Sequence, residues 1–124
     1  MRARTVLILD DEPGIRETLS DYLSDIGYAT RCFGDTENAL SALCGQHFDL
    51  AIVDVRLPGK DGHAFLRSAL EAQPDLKTII YTGSVEYMQQ ELEPSFRDSV
   101  LAVFIKPVTD MQTFVDVLQQ LPEA

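Results

Sequence analysis

Asp10 with Asp11, Asp54, Thr82 and Lys106 are the residues of this chain with the chemistry to handle phosphate and a divalent cation. Each follows or closes a short apolar run. Thr5–Leu9 runs into Asp10-Asp11, Leu50–Val53 into Asp54, Thr78–Tyr81 into Thr82, and Val100–Ile105 into Lys106-Pro107. Carboxylate oxygens suit hard divalent cations. An ammonium and a hydroxyl suit phosphoryl oxygens, the ammonium through charge-assisted hydrogen bonds. The set becomes a site only if folding brings these run ends to one rim.

Runs this apolar suit strands covered on both faces of a parallel sheet, and in such sheets ligands gather at the carboxyl ends of the strands. Helix patterns lie between the runs. Pro13 suits a first helical turn, where its missing N–H costs nothing. Ile15, Leu19, Tyr22, Leu23 and Ile26 then form a stripe that Gly27 ends. Tyr28–Phe33 alternates as a strand, and Asp35 caps a second helix with Ala39, Leu40 and Leu43 inward and Gly45 as its stop. Arg56-Leu57-Pro58-Gly59-Lys60-Asp61-Gly62 is a turn-rich loop.

A third helix, from about His63 to Gln73, is expected to bury Ala64, Phe65, Leu66, Ala69 and Leu70 before Pro74 breaks it. A fourth, weakly amphipathic, runs from about Val85 to Leu92 and stops short of Pro94. A last one begins at Thr109, with Thr109 and Gln112 as a capping box and Met111, Phe114, Val115, Leu118 and Leu121 inward. Strand followed by helix, repeated to the end of the chain, predicts an α/β fold with helices on both faces of a parallel sheet.

The 124 residues, 45% of them hydrophobic, suit one compact domain spanning 1–124, with no output domain expected in this chain. A formal charge of -10 disfavours direct nucleic-acid binding, which needs clustered Lys and Arg. No apolar stretch approaches the roughly 20 residues of a membrane span, and the start lacks a signal-peptide pattern, so a soluble, cytoplasmic protein is expected. Cys32 and Cys44 have no metal or redox spacing and are expected to be small core fillers. His47 and His63 stand alone as ordinary polar positions.

Asp10-Asp11, Asp54, Pro58-Gly59-x-Asp61-Gly62, Thr82-Gly83 and Lys106-Pro107, in that order and each at a strand end, resemble the receiver domain of two-component response regulators. The resemblance runs from about residue 5 to 121. It implies a single doubly wound (βα)5 domain of flavodoxin-like type, its five-stranded parallel sheet in order 2-1-3-4-5. It also implies that Asp54 is the phosphoacceptor and that Asp10, Asp11, Asp54 and the backbone carbonyl of Arg56 hold Mg2+. Thr82 and Lys106 would bind phosphoryl oxygens, and the Lys106-Pro107 peptide would be cis. The implied partners are a sensor histidine kinase or phosphotransfer protein upstream and a downstream protein or output domain, the chain itself being a monomer or a phosphorylation-dependent dimer.

In the family, the face made by the fourth helix, fifth strand and fifth helix is the switching surface. Here the pattern departs: the place three before the lysine, usually aromatic, holds Val103, with Phe104 following it. The stretch from Thr82 to Lys106 is also a little longer than usual. That keeps open a degenerate receiver that binds partners without phosphorylation. A haloacid-dehalogenase-like Mg2+ phosphatase fits less well, since Arg56 stands where that family places a second acid. A flavodoxin-like cofactor carrier lacks a phosphate-cradling loop after the first strand.

Overall fold

The computed structural model describes residues 4–54, 62–83, 96 and 98–121. In chain order these form β1 (Thr5–Leu9), α1 (Pro13–Asp25), β2 (Ala29–Phe33), α2 (Thr36–Gly45), β3 (Leu50–Val53), α3 (Gly62–Ala72), β4 (Lys77–Thr82), β5 (Val100–Ile105) and a C-terminal helix (Gln112–Leu118). The loop from Arg56 to Asp61 and the helix expected at Val85–Leu92 lie outside the described residues.

All strands pair in parallel in the order β2-β1-β3-β4-β5, as the resemblance implied. Because side chains alternate across a strand, each inner strand feeds two cores. Val6 and Ile8 join Ile52, Tyr81, Leu19, Leu23 and Phe114 under α1 and the C-terminal helix. Leu7 and Leu9 join Ala51, Val53, Leu43, Phe65 and Ala69 under α2 and α3. A strand with both faces covered in this way keeps its charged residues to its ends.

Polar groups fix where elements begin and stop. The Asp35 carboxylate accepts the Asn38 N–H at 2.8 Å, capping α2 as its position predicts. Gly27 leaves α1 at φ 103°, where a side chain would be strained. Gln73, just past α3, is a clamp: its Oε1 accepts the Phe48 N–H at 3.0 Å, and its Nε2 donates to the carbonyls of Leu43 and Gln46 at 2.8 and 2.6 Å. It joins the ends of α2 and α3 to the start of β3.

Several local expectations need correction. The C-terminal helix begins at Gln112, whose N–H is taken by the Asp110 carboxylate at 3.0 Å, with Met111 rather than Thr109 at the cap. Asp110, two residues ahead, reaches that N–H directly. Ile26 is 46% exposed because α1 ends before it. Ala64 is exposed, one step round α3 from buried Phe65. Cys32 and Cys44 are both exposed: Cys32 lies on an edge strand, and Cys44 is turned away from buried Leu43. Gly45 is the last residue of α2, and the chain leaves the helix at Gln46, whose backbone is extended. His47 is solvent-facing beside Asp49, with 3.9 Å between its Nδ1 and the Asp49 carboxylate.

Candidate functional site

The order reverses between β1 and β3, so the crevice beyond their carboxyl ends is where such sheets place ligands. Leu9 lies in register with Val53, and the Asp54 N–H donates to the Leu9 carbonyl at 3.0 Å. Asp10 and Asp54 therefore leave the sheet side by side. Across β4, Thr82 pairs with Ile105, and the Lys106 N–H donates to the Thr82 carbonyl at 2.9 Å. That register depends on a bulge at Leu101, since Thr78 pairs with Val100 but Ile79 with Ala102.

Lys106 ties the rim together. Its Nζ donates to Asp54 Oδ2 at 2.9 Å and lies 2.8 Å from Asp10 Oδ2 and 3.6 Å from Glu12 Oε1. Asp10 is 2% exposed and Asp54 5%, so water screens these contacts weakly. Burial pushes the Asp10 carboxyl above its ordinary range, against the opposing pull of Lys106 and the Glu12 amide. Burial works against the Lys106 charge as well, but its hydrogen bonds to Asp10 and Asp54 outweigh that and hold it above the ordinary lysine range.

Asp11, Glu12, Asp54, Gly83 and Lys106 line a cleft of about 240 Å³. Carboxylate oxygens of Asp10, Asp11 and Glu12 lie within 4.8 Å of one another, an all-oxygen donor set that fits a hard cation such as Mg2+. A wider groove of about 660 Å³ beside β2 and α2 is lined by one carboxylate, Asp35, which already caps α2. The smaller cleft is the one with chemistry in it.

The fold thus brings together Asp10, Asp11, Asp54 and Lys106. Thr82 is buried at the end of β4 and holds the Lys106 backbone, while Gly83 after it reaches the cleft. The Arg56 carbonyl lies outside the described residues, and the Lys106-Pro107 peptide is cis. Glu12, not among the residues the sequence singles out, also lines the cleft. It does occupy the N-cap of α1, but its side chain makes no capping hydrogen bond. Its place directly after Asp10-Asp11, at the same strand end, was the available signal.

Val103 and Phe104 go to opposite faces. Phe104 stands edge-on to Phe114 at 5.3 Å under the C-terminal helix, whereas Val103 packs with Leu66, Ile80 and Phe96. Phe104 is therefore not an aromatic displaced into the place that Val103 holds.

Comparison with known proteins agrees with this geometry. The family model described as response regulator receiver domain matches residues 6–119. The transcriptional regulatory protein AruR of Pseudomonas aeruginosa is 41% identical over 83 residues, 63% of this chain and 34% of that protein. The sensor histidine kinase RcsC of Escherichia coli is 33% identical over 117 residues, 93% of this chain and 11% of that one. This chain therefore spans about a third or less of the length of these two relatives. The crystal structure of the response regulator TrrA of Thermotoga maritima, in complex with Mg2+ and BeF, superposes with TM-score 0.81 at 25% identity, covering 96% of this chain and 99% of that one.

Proposed function

The chain belongs to the response regulator receiver domain family, and from that premise we propose that it accepts a phosphoryl group on Asp54 from the phosphohistidine of a sensor histidine kinase or phosphotransfer protein. The observation that carries this reading is Lys106 Nζ, held 2.9 Å from Asp54 and 2.8 Å from Asp10 beside a cleft lined by Asp11 and Glu12. A carboxylate attacking a phosphoryl group needs positive charge at hand, because nucleophile and target repel.

In the forward step an Asp54 oxygen bonds to phosphorus, the phosphorus–nitrogen bond breaks, and the imidazole leaves with the electron pair. The transition state is loose, so positioning and charge stabilisation supply most of the acceleration. Lys106 exchanges its contact with Asp54 for a phosphoryl oxygen, and the Thr82 hydroxyl takes another. Asp11 and Asp54 line the cleft and would hold Mg2+, with the Arg56 backbone carbonyl as the further ligand that the resemblance implies. Asp10, whose Oδ1 already accepts the Glu12 N–H at 3.0 Å and whose Oδ2 faces Lys106, acts directly or through bound water. Mg2+ bound there supplies charge neutralisation for the transferring oxygens. Water attacking the acyl phosphate in line returns the Asp54 carboxylate and inorganic phosphate, so the chain assists both its own phosphorylation and its own dephosphorylation and is a signalling phosphoacceptor rather than a turnover enzyme.

The Mg2+ and BeF in the TrrA structure support the cation and the phosphoryl site. The names of AruR and RcsC, a transcriptional regulatory protein and a sensor histidine kinase, support a kinase or phosphotransfer protein upstream and a downstream protein or output domain. Among the described residues no helix is long and apolar enough to cross a membrane, which supports a cytoplasmic setting. Output by changed partner binding through β5 and the helices beside it completes the reading, with the chain a monomer or a dimer formed on phosphorylation.

The test is incubation with Mg2+ and phosphoramidate or acetyl phosphate, followed by intact mass. One added phosphoryl group on the wild type and none on Asp54→Asn is the expected result. An unlabelled wild type under every donor removes the reading. The position of Val103 away from an aromatic role favours a second reading, a phosphorylation-independent interaction module. It predicts equal partner binding by wild type, Asp54→Asn and Asp54→Glu.

A further inference from the structure

Tyr81 reaches both Lys106 and the layer under the C-terminal helix. The residue is 2% exposed. Its hydroxyl accepts the Val108 N–H at 2.9 Å, and its ring centroid lies 5.8 Å from Lys106 Nζ. The same ring stands edge-on to Phe114 at 5.1 Å, with 79° between the planes. A phenylalanine would supply the ring packing alone, so the buried hydroxyl has a task besides filling space. It holds one side of the turn that carries Lys106, and the neighbouring Thr82 carbonyl holds the other at 2.9 Å. Two consecutive residues of β4 thus pin the backbone on both sides of the Lys106-Pro107 peptide.

Lysine is a flexible chain ending in a point charge, and its direction is set by whatever fixes its base and lines its path. Here the base is fixed by Thr82 and, through Val108, by Tyr81. The Tyr81 ring lies within the range at which a cation is attracted to an aromatic face. We propose that Tyr81 is a positioning residue that aims the Lys106 ammonium at the group being transferred to Asp54. This role rests on the phosphoacceptor reading.

The test is a double-mutant cycle on the rate of Asp54 labelling by phosphoramidate with Mg2+, using wild type, Tyr81→Phe, Lys106→Ala and the double variant. Because Tyr81 acts through Lys106, Tyr81→Phe should slow labelling about fivefold in the wild-type background, the rate equivalent of one ordinary hydrogen bond. In the Lys106→Ala background it should have no effect. Equal slowing in both backgrounds, or none in either, overturns the role. Absence of labelling in the wild type removes the phosphoacceptor reading and this role with it. Should Tyr81→Phe fail to fold, the wild type alone decides: its Val108 amide resonance should shift when beryllofluoride and Mg2+ draw Lys106 off Asp54, and an unmoved resonance overturns the coupling.

Discussion

Replacing Lys106 with alanine isolates the electrostatics of the rim. The side chain is 11% exposed and lies 2.8 and 2.9 Å from Asp10 and Asp54, which are themselves buried. Removing one partner of a buried ion pair leaves the other charge uncompensated and costs about 3–5 kcal/mol. With the lysine gone, water from the cleft that Asp54 lines reaches the carboxylates and holds the cost near the lower figure. About 3 kcal/mol corresponds to a melting temperature roughly 10 °C lower for a domain of this size. Thermal unfolding in EDTA measures it. In saturating Mg2+ the loss should shrink, because the cation binds oxygens that in the wild type are shared with Lys106. At a hundredfold excess over its dissociation constant, a ligand specific to the folded state contributes about 2.7 kcal/mol. The variant should bind Mg2+ more tightly than the wild type by isothermal titration. A variant that melts within about 2 °C of wild type in EDTA, with the same Mg2+ affinity, would refute the reasoning, since Lys106 would then neither support the fold nor compete for the carboxylates.

Two other substitutions probe neighbouring claims. Glu12→Gln removes an exposed carboxylate from the cleft and should weaken Mg2+ binding by roughly two- to fivefold, the scale of a single solvent-screened charge; unchanged affinity would return Glu12 to a helix-start role. Gln73→Ala leaves the Phe48 N–H and two carbonyls without their clamp and should cost about 2 kcal/mol in chemical denaturation, with little effect on labelling at Asp54.

The strand ends were legible in the sequence because a strand buried on both faces carries charge only at its ends. An aspartate or lysine at such a boundary therefore advertises the rim of the sheet. The α2 cap at Asp35 and the turn at Gly27 were legible for a similar local reason: one side chain or one φ angle decides each. Ala64, Cys32, Cys44 and Ile26 were misread as buried because exposure depends on what a neighbouring element covers.

Pairing order, register and distance belong to the tertiary structure. That Asp10 and Asp54 are neighbours follows from β1 lying against β3 rather than from separation along the chain. The bulge at Leu101 sets Phe104 beside Tyr81 and Val103 beside Ile80, and a one-residue slip would exchange their faces. Residue types could name Lys106 as a phosphate ligand. Only the folded rim, where burial strips water from two carboxylates and an ammonium lies between them, made it the charge that holds the site together.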